Sequence, residues 1–205
     1  MFAMLKSGGF IMFPIAACAI LIVYIVYERF RFFLRIENAD KDLAPALSDL
    51  LGKRAFIDAS KLCEETGTPS SGVLKKIIDC RNMNESGLRE LADAEIANAS
   101  LKFAHFLPFL GALSHIATLL GFLGTVLANI RAFSVWSAIQ QSGEISASFS
   151  ASIAQSLITT AAGIIVAIPA VVFSHYFNER IIRLETKLES DTTFVILRIT
   201  RGLTV

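Results

Sequence analysis

The sequence has almost no charge where its apolar residues are densest. Three runs, Phe10 to Tyr27, Phe103 to Ile130 and Ile145 to Asn178, contain no Asp, Glu, Lys or Arg. Uncharged runs of that length exclude a water-soluble globular chain and point to an integral membrane protein. Neither sign of charge is in excess: 19 Lys and Arg against 18 Asp and Glu leave a net charge of +1. With no basic tail either, no nucleic-acid partner is expected. Phosphate loops, metal-ligand clusters and nucleophile elbows are missing, which argues against an enzyme, and neither a cofactor nor a metal is called for. The pairs Glu64/Glu65 and Lys75/Lys76 read as solvated faces.

What is present is apolar residue, 54% of 205, with a mean hydropathy of +0.58. At about 1.5 Å per helical residue the shortest run reaches roughly 27 Å, close to the hydrocarbon thickness of a bilayer. The two longer runs must tilt or project beyond the lipid. The stretch "IAAC" ending at Cys18 resembles a lipoprotein cleavage site. Apolar residues nevertheless continue unbroken through "AILIVYIVY", so the first run reads as a retained transmembrane helix.

Cations set the orientation. Arg29, Arg31 and Arg35 follow the first run and Arg180, Arg183 and Lys187 follow the third, whereas 133–152 contain no Lys or Arg. The chain is therefore expected to start outside and end inside, with Lys6 and Arg131 as the minority. Cys63 and Cys80 then lie on the reducing side and Cys18 within lipid, which excludes a disulfide framework. The predicted order is a short periplasmic N-terminus (1–9), transmembrane helix one (10–27), a cytoplasmic helical region (28–102) and helix two (103–133). A periplasmic connection (134–151), helix three (152–177) and a cytoplasmic C-terminal helix (178–205) complete it.

In the cytoplasmic region, breaks at Gly52 and "TGTPSSG" (66–72) divide helical pieces. "DLAPALSDLL" has the spacing of a short amphipathic helix, and "ESGLRELADAEIANASLKF" begins a longer one running into the second span. The fold class is an all-α membrane protein with three transmembrane helices, helices two and three extending into a cytoplasmic helical bundle.

Around helix two, at 100° per residue, Gly111, Ser114, Thr118, Gly121, Thr125, Ala128 and Asn129 fall within one arc. In helix three the matching arc holds Ser152, Gln155, Ser156, Thr159, Gly163, Ala167 and Ala170, with Thr160 at its edge. Leu157, Ile158, Ile164, Ile165, Ile168 and Val172 lie opposite. Two accounts fit this small, polar face. Transmembrane helices associate through small residues and hydroxyls. A solvated passage would also gather Thr118, Thr125, Asn129, Gln155, Thr159 and Thr160, since amides in hydrocarbon are costly without partners. Such a passage holds no carboxylate, and His105 and His115 lie on different helix faces. If protons pass, the acid comes from a partner chain.

"LLGFLGTV" (119–126) and "SIAQSLITTAAGIIVAIPAVV" (152–172) resemble the two signature segments of the ExbB/TolQ/MotA proton-channel family, in its ExbB/TolQ branch. The opening "KSGGFIMFPIAACAILIVYIVYERF" is similar to that family's first span. The resemblance implies a multi-pass inner-membrane subunit forming a homo-oligomer, a pentameric ring. That ring surrounds the single-span helices of an ExbD/TolR-like dimer whose membrane aspartate carries the proton. Ion flow, driven by the proton motive force, would energise a TonB- or TolA-like protein for outer-membrane import or envelope maintenance. Thr125 and Thr160 take the places of the family's two pore threonines. Gly121, Gly124 and Gly163 are expected to permit close helix contact, and Pro169 to relieve helical hydrogen bonding. The sequence departs from the family pattern at Gln155 for glutamate, Thr118 for proline, Ala128 for glycine and Asn129 for methionine. Loss of that carboxylate keeps an alternative open: a non-conducting scaffold or diverged paralogue that assembles without a proton relay.

Overall fold

The protein is described by a computed structural model over residues 10–142 and 147–201, with side chains placed over 10–134 and 149–200. The described residues form six helices: α1 Met12–Gly52, α2 Phe56–Thr66, α3 Pro69–Asp79, α4 Glu85–Phe103, α5 Leu107–Ser142 and α6 Ala147–Arg201. No strand occurs among them. Three helical stretches are long and apolar enough to cross a membrane: Met12–Gly52, Glu85–Ser134, which joins α4 and α5 through a bend, and Phe149–Thr200. At about 1.5 Å per residue, the 55 residues of α6 extend roughly 80 Å, well beyond a bilayer core of about 30 Å.

Three sequence expectations are modified. "DLAPALSDLL" is not a separate short helix but the end of the 41-residue α1, which continues through Pro45. The helix beginning at Glu85 does not run unbroken into the second span. It stops at Phe103, and the chain turns at 104–106, where Phe106 takes φ +66°. Residues 143–146 of the expected connection lie outside the described residues, while α5 and α6 account for all of the remainder of 134–151.

Contacts divide the chain into two compact units, 1–27 with 106–176 and 28–105 with 177–205. α1 contributes to both, and its buried positions follow one pattern throughout: Met12, Ile15, Cys18, Ile22, Ile25, Arg29, Phe33, Ile36, Asp40, Leu43, Leu47 and Leu51. Steps of three and four residues are the signature of a narrow helix-packing seam. Two polar groups interrupt it, and each has a partner. Arg29 donates to Phe103 O at 3.3 Å and lies 3.2 Å from His105 Nδ1. It thereby satisfies a carbonyl that the end of α4 leaves without a helical donor. Asp40 accepts the Thr68 hydroxyl at 2.8 Å.

In the second unit α2 packs on α3 and α3 on α4. Gly67, at φ +62°, closes α2 in the left-handed conformation that glycine adopts without a Cβ penalty. Thr68 then starts α3 with a reciprocal capping box: Ser71 N donates to Thr68 Oγ1 and Thr68 N to Ser71 Oγ, both at 3.1 Å. Pro69 occupies the first turn, where its missing N–H costs nothing. Asn84 caps α4 through Gly87 N at 3.0 Å. The core is built from Leu74, Ile77, Ile78, Leu88 and Phe103, together with Phe33 stacked on Phe177 at 5.6 Å between centroids. Arg180 pairs with Glu37, and that hydrogen bond and charge hold the Glu37 carboxyl below the usual range.

Candidate functional site

The site lies in the first unit, where α5 meets α6. A Cβ at Gly111 would stand 3.7 Å from Ser174 Oγ, one at Gly121 3.2 Å from Gly163 Cα, and one at Gly124 2.5 Å from Thr159 Oγ1. Residue numbers fall along one helix as they rise along the other, so the pair is antiparallel. At the crossing the backbones nearly touch: a Cβ at Gly163 would meet Ala117 O at 2.7 Å and Gly121 Cα at 2.9 Å. Packing this close is available only to small residues, and in lipid it supplies the attraction that water supplies elsewhere.

The seam of small, buried residues includes Ala117, Gly121, Gly124, Ala128 and Ala132 on α5 and Ser156, Thr159, Gly163, Ala167 and Ala170 on α6. Large apolar side chains point away from it; Leu119, Phe122, Leu157, Ile165 and Val172 are all exposed. The expected arc on helix two is thereby rotated toward Ala117 and Gly124. Ala117, wholly buried, and Ala132 were not among the predicted face residues. Small residues spaced four, three, four and four apart were the available signal.

The six polar residues of the expected passage do not share one environment. Thr159 is 1% exposed and belongs to the seam, filling the space beside Gly124 and donating to Ser156 O at 2.9 Å and Gln155 O at 3.2 Å. Thr160, half-buried, reaches across the interface: its hydroxyl is shared between Gly121 O and Ser156 O, each at 3.3 Å. Thr125, also half-buried, donates to Phe122 O at 2.6 Å. Thr118 is exposed and back-bonds to Ser114 O at 3.1 Å. Asn129 is exposed and Gln155 half-buried, and neither amide side chain has a hydrogen-bond partner among the described residues.

Thr125 follows Gly124 and Thr160 follows Thr159, one step beyond the seam on each helix. In an antiparallel pair of right-handed helices, that step leads to the same flank of the interface. Thr118 and Asn129 extend this flank along α5. Gln155 lies five residues before Thr160, about 140° round α6, and falls on the other flank. Thr118, Thr125, Asn129 and Thr160 thus lie along one flank of the α5–α6 pair, Thr159 sits between the helices and Gln155 lies on the other flank. Of the predicted packing residues, Gly121, Gly124 and Gly163 form the crossing, and Pro169 sits exposed within the unbroken α6.

No group of three or more His, Cys, Asp or Glu that could hold a metal occurs among the described residues. The flank offers only neutral groups that donate and accept hydrogen bonds.

Long apolar helices packed through glycine, with hydroxyls and the Asn129 amide along one flank and no carboxylate in the apolar runs, define an all-helical, multi-span membrane protein. Residues 66–190 match the MotA/TolQ/ExbB proton channel family. This is more than half of the chain, and the chain belongs to that family, whose members are channel and motor subunits rather than enzymes. It is also similar to a Synechocystis sp. protein named for biopolymer transport, ExbB-like 3, with 22% identity over 187 residues. The alignment covers 91% of this chain and 89% of that one.

Proposed function

We propose that the chain is an ion-conducting subunit of the ExbB/TolQ branch. In this reading it sits in the inner membrane with its N-terminus periplasmic and its C-terminus cytoplasmic. It forms a pentameric ring around the single-span helices of an ExbD/TolR-like dimer, and proton flow through the assembly energises a TonB- or TolA-like protein. The observation that carries the reading is the pairing of half-buried Thr125 and Thr160 on one flank of an interface that contains no carboxylate. A hydroxyl both donates and accepts, so it can sit beside an acid that alternates between protonated and ionised forms. That acid is assigned to the partner, because Glu28, Glu144 and Glu179 lie at or beyond the ends of the runs.

The test is proton flux into vesicles holding this chain and its single-span partner. Thr160→Val keeps the shape and removes the hydroxyl. It is expected to lower flux about tenfold, the equivalent of one hydrogen bond of about 1.4 kcal/mol, while Thr160→Ser retains most of it. Neutralising the partner's aspartate is expected to abolish flux. If flux ignores both changes, the pathway is elsewhere. Gln155 favours the second reading, a scaffold that assembles but does not conduct, and a stable complex without flux would select it.

A further inference from the structure

The second unit contains a cleft with a different chemistry. Its volume is about 640 Å³, and its lining includes Arg54, Arg81, Arg198 and Asn82 over an apolar wall formed in part by Phe56 and Phe194. Three arginines line a space whose lining contains no carboxylate. Elsewhere in the unit seven cations, Arg29, Lys53, Lys75, Lys76, Arg89, Arg180 and Arg183, each lie within ion-pair distance of an acid. The cleft arginines lean on rings instead: Arg81 lies 5.5 Å from the Phe56 centroid and Arg198 5.2 Å from that of Phe194. Ring contacts hold a guanidinium in place and leave its N–H fork available.

Arg54 adds an independent observation. It follows the end of α1 at φ +55°, the left-handed position that glycine occupies most cheaply, and its amide donates to Leu51 O at 3.2 Å. A side chain there costs roughly 1 kcal/mol relative to glycine. Gly52, two residues earlier, does not take that conformation. The left-handed turn thus contributes a cation to the lining of a cleft that holds two others.

We propose that this cleft binds a phosphate-bearing organic anion with a flat or apolar body. Arginine forks match phosphate oxygens bidentately, three of them suit a ligand carrying at least two negative charges, and the Phe194 ring and Leu197, each more than a third exposed, offer apolar surface to the body. The volume lies in the range of small-molecule sites. The phosphate is either free in solution, as in a nucleoside phosphate, or part of a lipid headgroup.

The experiment uses the full chain in phosphatidylcholine nanodiscs. One arm titrates trinitrophenyl-ATP and displaces it with pyrophosphate, and the other offers phosphatidylglycerol vesicles. Saturable capture of either probe is expected to weaken at least tenfold in Arg81→Gln/Arg198→Gln and to be unchanged in Lys61→Gln, an exposed cation outside the cleft. Capture of the nucleotide identifies a soluble phosphate; capture of the vesicles alone identifies a headgroup. Asn82→Glu places a carboxylate at an exposed point of the lining. It should weaken binding similarly, which keeps the test decisive if the double variant does not fold. Absence of saturable binding to both probes, or equal loss in the cleft and Lys61 variants, overturns the proposal.

Discussion

Burial pushes the Cys63 thiol up to about 11, and the Asp79 carboxylate adds to the effect. Since only the thiolate is nucleophilic, alkylation at pH 8 is expected to run about a hundredfold slower than for an ordinary thiol, before any loss of access is counted. Iodoacetamide labelling followed by peptide mass spectrometry measures this, and rapid modification of Cys63 in the folded chain would contradict its burial. The sign for stability follows. The folded value exceeds the ordinary 9.0, so the folded state holds that proton more tightly. The contribution is complete below about pH 9 and is lost as pH rises toward 11. Residue-scale roles near the helix crossing were harder to read from sequence. Thr159 and Thr160 are neighbours 100° apart, and a wheel places both near one face. Only the proximity of Gly124 shows that Thr159 is a packing residue, and only the hydrogen bond to Gly121 O shows that Thr160 spans the interface.

At the scale of elements, the apolar runs and the breaks near Gly52 and 66–72 were legible because they depend on local chemistry. The bend at 104–106 was not, because a positive φ at Phe106 has no local sequence signal and the end of α4 is satisfied by Arg29, 74 residues away. Pro45 misleads in the opposite direction: α1 absorbs it and continues, with Leu43 and Leu47 buried on either side. Glycines in two helices give opposed predictions. Gly163→Ala sets a methyl group against backbone atoms that cannot rotate away and should destabilise by about 1–3 kcal/mol. Gly72→Ala, in α3 with nothing within 4 Å of the added methyl, should stabilise by about 0.5–1 kcal/mol. Thermal unfolding in detergent distinguishes the two, and a Gly163→Ala chain as stable as the parent would remove the close crossing.

For the whole molecule, the hydropathy pattern was enough to read three potential spans and an all-helical chain, because lipid leaves the backbone few other choices. Which helix faces meet, and in what register, required coordinates. The register has a mechanical corollary. Where two backbones touch, there is no clearance for one helix to slide: a one-turn shift would drive the Thr159 side chain toward Gly121 and leave a void beside Gly124. The α5 and α6 segments at this crossing therefore behave as a single welded strut. Cysteines replacing Gly111 and Ser174, where a Cβ added to the glycine comes within 3.7 Å of the facing hydroxyl oxygen, should cross-link under oxidation. Flux should survive the link, and its loss would mean that the strut must open. On the proposed function, any stroke then belongs to surfaces outside the weld, those that would face another copy or the single-span partner.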